Sequence, residues 1–346
     1  MENNIVTPKY SVSVVVVCYN ESKNIKECIG SIMSQDYPSD KYELLLVDNG
    51  STDGTYDIIK GLSKQYGNIR VVINPIRSIS RSRNVGLRES YGDLIAFTDA
   101  DCVVPANWLK TLVDGFLKYK KNDPSLCAAG GSNIPPKNRS RFYDTLGIFL
   151  DTFLGSGGSV QGRIYGEDRY LSHLPTVNVI YDKKIVSSIG GFDESLGSIS
   201  EDQDLSTRLT KNGYRLVYLA GSFVWHKLRG NPLAWAKNMF TYGKGRVWYF
   251  KKHHDIARLH LLLPALLVLN IVMLISPWRT VFLMNLMIYA VIILLISAFE
   301  CLRVKRIDLI PDLALLYIIT HCSYGMGELY GILSPIGKNN ALSNRR

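Results

Sequence analysis

Short runs of Val, Ile and Leu recur along the N-terminal part of the chain, and no other feature constrains the fold more. VSVVVV (12–17), YELLLV (42–47), IRVVI (69–73) and LIAFT (94–98) each break into a polar turn. A continuous apolar run suits a strand buried on both faces, as in a parallel sheet, better than an alternating half-exposed one. Between the runs lie stretches with helical spacing, such as Ile25, Ile29 and Ile32, and the segment from Tyr56 to Gln65. Strand, helix and strand in repetition predict an α/β domain: an open, mixed, mostly parallel sheet covered on both faces.

In such sheets ligands bind outside the carboxyl ends of the strands. The strand ends here are chemically distinctive. They read CYNES (18–22), DNGSTDGT (48–55) and TDAD (98–101), and the run before the last is SISRSRNVGLRES, a basic loop expected to enter a helix. Ser22 is the expected cap of the first helix. Asp99 and Asp101 stand at i and i+2 at the end of a strand, where extended backbone points both carboxylates to one side. Hard divalent ions prefer such oxygen ligands and bridge to substrate phosphates. An isolated D-x-D is equally a solvated turn, so its neighbours must decide.

The later chain is less regular. A helix is expected from Trp108 to Tyr119, and strands at 126–131, 176–180 and 215–219, the last followed by FVWH. The glycine-rich stretch 155–166 is expected to be a mobile loop, a candidate lid. SEDQDLSTRL (200–209) starts a helix crowded with acids in its first turn, which the helix dipole favours.

The formal net charge is +10, from 40 basic and 30 acidic residues. A basic excess fits nucleic acid, anionic lipid or phosphorylated substrates. No zinc-finger spacing or RNP-like segment accompanies it, which leaves membranes and phosphates and no nucleic acid. The six cysteines form no C-x-x-C pair, as expected of reduced thiols in a cytoplasmic domain. Two apolar runs, 259–275 and 281–302, are long enough to cross a hydrocarbon core of roughly 30 Å. Lys251, Lys252 and Arg258 precede them, Arg303, Lys305 and Arg306 follow, and Arg279 alone lies between. The positive-inside rule therefore predicts a multi-pass membrane protein with its large domain (1–250) in the cytoplasm and a membrane domain over 251–346. A third apolar segment, 309–333, carries Asp312, His321 and Glu328, and spanning, re-entry and an interfacial position all stay open for it.

CYNE, VDNGSTDGT, SRSRN, TDAD, GGFDE and EDQDLSTRL occur on one chain in this order. With them the sequence resembles the family 2 glycosyltransferases, which carry the GT-A nucleotide-sugar fold, over about residues 11–226. FTYGKGR (240–246) and YGMGELYGIL (324–333) look like the membrane-bound branch that builds exopolysaccharides and lipid-linked glycans.

The resemblance implies roles. Tyr19 and Glu21 would hold the nucleotide base, and Asp48 the uracil or ribose edge. Arg83 would face the diphosphate, with Arg81 a solvated neighbour. Asp99 and Asp101 would hold Mg2+ or Mn2+ with His226 as a further ligand, and Asp202 would be the general base with Glu201 as its partner. Plainer readings stand beside these: Asp53 as a turn or cap residue, Asp204 and Arg208 as an i, i+4 ion pair, Trp235 and Trp248 as membrane-interface anchors. Residues 237–258 depart from the Q-x-x-R-W pattern of processive synthases, which argues against a polymer-extruding channel. The expected function is inverting, metal-dependent transfer of one sugar from a UDP- or GDP-sugar to a lipid-linked or membrane-proximal glycan acceptor. A polyprenyl-phosphate sugar synthase and a non-catalytic membrane scaffold remain alternatives.

Overall fold

The structure, a computed structural model, describes residues 11–136, 140–254 and 262–336. These divide into two compact units, residues 11–134 with 164–226, and residues 135–163 with 227–336. Compactness therefore cuts the chain differently from the expected 1–250 and 251–346, because the excursion after residue 134 buries its apolar face with the C-terminal helices.

The first unit is built on a mixed sheet. Its strands are β1 (Val12–Cys18), β2 (Tyr42–Asp48), β3 (Ile69–Ile73), β4 (Leu94–Asp99), β5 (Cys102–Val103), β6 (Leu126–Ile134), β7 (Arg169–Leu171), β8 (Val179–Asp182) and β9 (Arg215–His226). The order is β3-β2-β1-β4-β8-β6-β9-β5, with β7 added on β9. β1 to β4 pair in parallel, as do β6 and β9, whereas β8 runs antiparallel between β4 and β6. The expected apolar runs are the central strands, and Val14, Val16, Leu44, Leu46 and Ala96 are fully buried. Helices α1 (Ile25–Met33), α2 (Thr55–Ser63), α3 (Ile79–Glu89) and α4 (Trp108–Asn122) follow β1, β2, β3 and β5.

Several local expectations change. The helix expected to be capped by Ser22 begins at Ile25, with Asn24 at the N-cap position and no side-chain cap, while the Ser22 amide donates to Asp53. The strand expected at 176–180 is β8, starting at Val179. Asn178 spends its side chain on Ser132, Trp108 and Ser222, and Pro175 has no amide to give a ladder. The expected strand 215–219 and the FVWH after it are one continuous strand, β9.

The second unit is helical: α5 (Arg141–Asp151), the single turn α6 (Phe153–Ser156), then, beyond α7 (Lys183–Ser188) and α8 (Glu201–Lys211) of the first unit, α9 (Pro232–His253), α10 (Leu263–Val272), α11 (Arg279–Arg303) and α12 (Ile310–Leu333). Leu146, Phe149 and Leu150 of α5 share a core with Trp235, Met239, Leu313 and Tyr317. Ion pairs tie α5 to the α11–α12 junction: Arg141 to Asp308 and Asp312, Arg306 to Asp144, and Arg303 to Asp151.

Three expectations for this unit are revised. The glycine-rich stretch is packed in places, since a Cβ at Gly155 would lie 2.0 Å from the Phe149 carbonyl oxygen and one at Gly162 would lie 2.1 Å from Leu150 Cβ. Trp235 and Trp248 are buried, not interface anchors, and their indole N–H groups donate to Thr320 and Ser334. Among the described residues the helices long and apolar enough to cross a membrane are Arg279–Arg303, mean hydropathy 2.6, and Ile307–Leu333, mean hydropathy 1.2. The expected run 259–275 begins outside the described residues, as does Arg258, and its described part, Leu263–Ile275, is shorter than a full span of about 20 residues.

Candidate active site

The ends of β1, β2 and β4, the start of α8 and the end of β9 bring the predicted polar residues of the first unit onto defined supports. β2 ends on Asp48, which is 2% exposed. Its Oδ2 accepts the amides of Gly50 and Ser51, both at 3.0 Å. Its Oδ1 is buried with no hydrogen-bond partner among the described residues. A buried oxygen left unpaired is costly unless a ligand donor reaches it.

Beyond β1, Arg77 stacks on the Tyr19 ring at 4.6 Å, and the Glu21 carboxylate accepts from Asn24 at 2.8 Å. The two turns are laced together. The Glu21 amide donates to Thr55, Asn20 accepts from the Thr52 amide, and Asp53 accepts from the Ser22 amide. Burial opposes charge on Asp53, but hydrogen bonds from Thr55 and Ser22 outweigh it and hold the carboxyl at about 2. Asp53 is thus the turn residue of the plainer reading.

Arg81 and Arg83 lie on α3, not in a loop. Ser78 caps that helix by accepting the Arg81 amide, and serines in place of aliphatic residues face the interior. Arg83 is 5% exposed and sits between acids, its Nη1 2.5 Å from Glu201 Oε1 and its Nη2 3.4 Å from Asp99 Oδ1. Burial works against the guanidinium charge, but Glu201, Asp99 and Asp202 together hold Arg83 above its ordinary value. It is held in ion pairs instead of standing open to a phosphate. Arg81 reaches Glu194 at 3.6 Å.

The D-x-D acids diverge. Asp99 faces Arg83, whereas Asp101 Oδ1 lies 3.2 Å from His226 Nε2. Ligand atoms of Asp101, Cys102 and His226 all fall within 4.8 Å of one another. Burial pushes the Cys102 thiol well above its ordinary value, and a soft sulfur ligand suits a hard cation poorly. Asp101 and His226 do suit one. His226 Nδ1 lies 3.1 Å from the side-chain nitrogen of Asn133, whose Oδ1 is buried without a partner among the described residues. Amide orientation is an assignment. Turning this carboxamide over lets Oδ1 accept from Nδ1–H, which satisfies the oxygen and leaves the Nε2 lone pair facing Asp101, as a metal-ligating histidine requires.

α8 opens with Glu201 and Asp202. Asp202 Oδ1 accepts the Gln203 amide at 2.7 Å, and Oδ2 lies 3.4 Å from His173 Nε2. Burial would raise Asp202, but His173 and Arg83 outweigh it and hold the group below the usual carboxylate range. Asp204 and Arg208 form the expected i, i+4 pair at 2.8 Å. His173 and Asn133 were not anticipated. Neither lies in a motif, and each meets its partner only through the sheet pairing.

A mixed, mostly parallel sheet with acids gathered at its strand ends defines the class of GT-A sugar-transferring enzymes. Residues 13–165 match the family described as glycosyl transferase family 2, and residues 94–299 match glycosyl transferase family group 2. The chain belongs to the family 2 glycosyltransferases and is a transferase. It is 31% identical over 239 residues to glycosyltransferase AglE of Haloferax volcanii, covering 68% of this chain and 73% of that one. It is 25% identical over 243 residues, 70% of this chain and 74% of the other, to the Methanococcus voltae enzyme called dolichyl N-acetyl-alpha-D-glucosaminyl phosphate 3-beta-D-2,3-diacetamido-2,3-dideoxy-beta-D-glucuronosyltransferase. In fold it is similar to mannosyltransferase PcManGT from Pyrobaculum calidifontis, solved with GDP-Man and Mn2+ (TM-score 0.60, 20% identity, 94% of this chain and 88% of that one).

Proposed function

We propose that this enzyme moves one sugar from a UDP- or GDP-sugar to a lipid-linked or membrane-proximal glycan acceptor, with inversion, at the cytoplasmic face of a membrane. The observation that carries the reading is the pairing of an unsatisfied donor-side acid with a charged acceptor-side acid. Among the described residues Asp48 keeps a buried oxygen without a partner, and His173 and Arg83 hold the Asp202 carboxyl below its usual range at the head of α8.

Asp48 Oδ1 accepts a hydrogen bond from the uracil, guanine or ribose edge, while Tyr19 and Glu21 border the base. Arg83 holds Asp99 and Glu201 in place, and through Asp99 it bears on the diphosphate. Asp101 and His226 would hold Mn2+ or Mg2+, with Asp99 joining them only on leaving Arg83, and imidazole favours the former. When bound, such an ion offsets the charge that builds on the departing diphosphate. Asp202 takes the proton of the acceptor hydroxyl as that oxygen bonds to the anomeric carbon. The bond from that carbon to the diphosphate oxygen breaks on the opposite face, its electron pair leaves with the nucleoside diphosphate, and the configuration inverts. Glu201, bound to Arg83, fixes the start of α8.

Two helices of spanning length, the basic flanks of 281–302 and the lipid-linked substrate named for the Methanococcus voltae relative support a membrane-borne acceptor. The test is release of UDP or GDP by detergent-purified enzyme offered a panel of nucleotide sugars, with polyprenyl phosphate or a polyprenyl-diphosphate-linked sugar as acceptor, in Mn2+, Mg2+ or EDTA. Metal-dependent release with the sugar-bearing lipid, lost in Asp101→Ala and Asp202→Asn, is expected. Release with polyprenyl phosphate alone would replace the glycan acceptor by the lipid phosphate. No consumption of any donor would overturn the reading.

A further inference from the structure

We propose that His173 is a positioning residue for transfer, holding the Asp202 carboxylate at the angle from which it meets the acceptor hydroxyl. The inference rests on the reading of Asp202 as general base and adds to it a residue outside every motif of the chain.

The local structure brings His173 there by construction. β7 ends at Leu171 and is fixed on β9 in antiparallel register, Arg169 opposite Tyr218 and Leu171 opposite Leu216. Two residues later comes His173, and the next amide, that of Leu174, donates to Ser206 Oγ at 3.4 Å. Ser206 lies one helical turn beyond Asp202 on α8, on the same face. The short segment from β7 is thus tied at one end to the sheet and at the other to the helix that carries the base.

The imidazole lies beside the base. Its Nε2 is buried, makes no hydrogen bond among the described residues, and lies 3.4 Å from Asp202 Oδ2. Such contacts in ligand-free sites are commonly long and tighten on substrate binding. Asp202 Oδ1 already accepts the Gln203 amide. Once the His173 contact closes on Oδ2 as well, both oxygens are engaged and rotation of the carboxylate about its broad terminal torsion is stopped. Each oxygen keeps a second lone pair, and a lone pair in a fixed direction is what a general base must offer.

The titratable groups that act on or feel Asp202 are Arg83 of α3, Glu201 of α8, Tyr181 of β8 and His173 of the segment after β7. Arg83 is shared with Glu201 and Asp99, whereas the acid that His173 meets among the described residues is Asp202. The contact with His173 favours the charged carboxylate and draws the Asp202 titration downward. Removing it moves that titration up, and the acid limb of kcat/KM follows.

The experiment compares His173→Ala, His173→Gln and Asp202→Asn in the full-length detergent-purified enzyme, measuring kcat, donor KM and the pH profile of kcat/KM. His173→Ala is expected to lower kcat by roughly ten-fold or more, part of the 10²–10⁴ that a general base contributes. Donor KM stays unchanged and the acid limb moves to higher pH. His173→Gln restores a hydrogen-bond donor but no charge, so kcat recovers while the limb stays displaced. If Asp202→Asn is inactive and both His173 variants keep the wild-type limb, the positioning role is overturned. A His173→Ala variant that melts early passes the decision to His173→Gln. Full activity in Asp202→Asn would instead remove the general-base reading itself.

Discussion

Arg83 Nη1 lies 2.5 Å from Glu201 Oε1, joining the third helix of the sheet domain to the first residue of the helix that presents Asp202. Both side chains are nearly out of solvent, at 6% and 9% exposure. Breaking such a pair strands the surviving charge, at a cost of about 3–5 kcal/mol. Arg83→Ala should therefore lower the melting temperature sharply and abolish transfer, and Glu201→Gln, which keeps an oxygen acceptor, should do less of both. Arg83→Lys supplies one point charge where a fork reaches two acids, and should recover stability better than activity. Denaturation and turnover measured on the same preparations check this. An Arg83→Ala enzyme of native stability would mean that the pair holds nothing.

Asn133 governs a different property. If its Oδ1 accepts from His226 Nδ1–H, it fixes the tautomer that leaves Nε2 able to ligate. Asn133→Ala should then weaken Mn2+ binding by roughly 10–100-fold, the usual cost of losing a partner behind a ligand. Asn133→Asp should retain binding. Calorimetric or EPR titration of Mn2+ on the donor-free enzyme reads this without catalysis. Equal affinity in wild type and Asn133→Ala would show that the tautomer is set elsewhere.

Asp53 gives the pH prediction for the donor-side turns. Its folded value is about 2, below the ordinary 3.8, so it stabilises the fold above the ordinary value and that contribution fades as pH falls from about 4 toward about 2. The turn is exposed, and screening keeps the effect within roughly 1 kcal/mol. The melting temperatures of wild type and Asp53→Asn should differ at pH 6 and converge as the pH falls through that window. A gap that widens on acidification would have the wrong sign.

What was legible in the sequence follows from what each residue packs against. The central strands were readable because Val14, Val16, Leu44 and Leu46 are buried in a sheet covered on both faces, which produces continuous apolar runs. The first part of α3 reads as a basic loop entering a helix because Ser80, Ser82, Arg83 and Asn84 stand on its interior face between Ile79 and Leu87, which breaks the hydrophobic periodicity. Ser80 Oγ donates to the Gly197 carbonyl at 2.7 Å, a contact across many residues that no local pattern announces. The same holds for His173, which meets Asp202 only because β7 is laid on β9. The glycines of 155–166 read as flexibility, yet Gly155 and Gly162 mark close approach of other chain segments. Composition cannot separate those two uses of glycine, since both remove a Cβ.

That distinction yields a prediction in which one substitution has opposite signs at two sites. At Gly327 on α12 a Cβ would lie 2.0 Å from the Phe240 carbonyl oxygen, and at Gly243 on α9 it would lie 2.0 Å from that of Tyr324. The helices touch backbone to backbone here, and neither carbonyl is a flexible group that can turn aside. Gly327→Ala must push α9 and α12 apart, and overpacking of this kind costs about 1–3 kcal/mol or more. Gly30 also sits within a helix, α1, but a Cβ there meets nothing within 4 Å. Alanine loses less backbone entropy than glycine in a helix, so Gly30→Ala should stabilise by about 1 kcal/mol or a little less. Thermal denaturation of the two variants beside wild type decides the matter. A stabilised Gly327→Ala would mean that the α9–α12 contact is looser than the backbone approach requires, and a destabilised Gly30→Ala would mean that α1 packs against something on its exposed side.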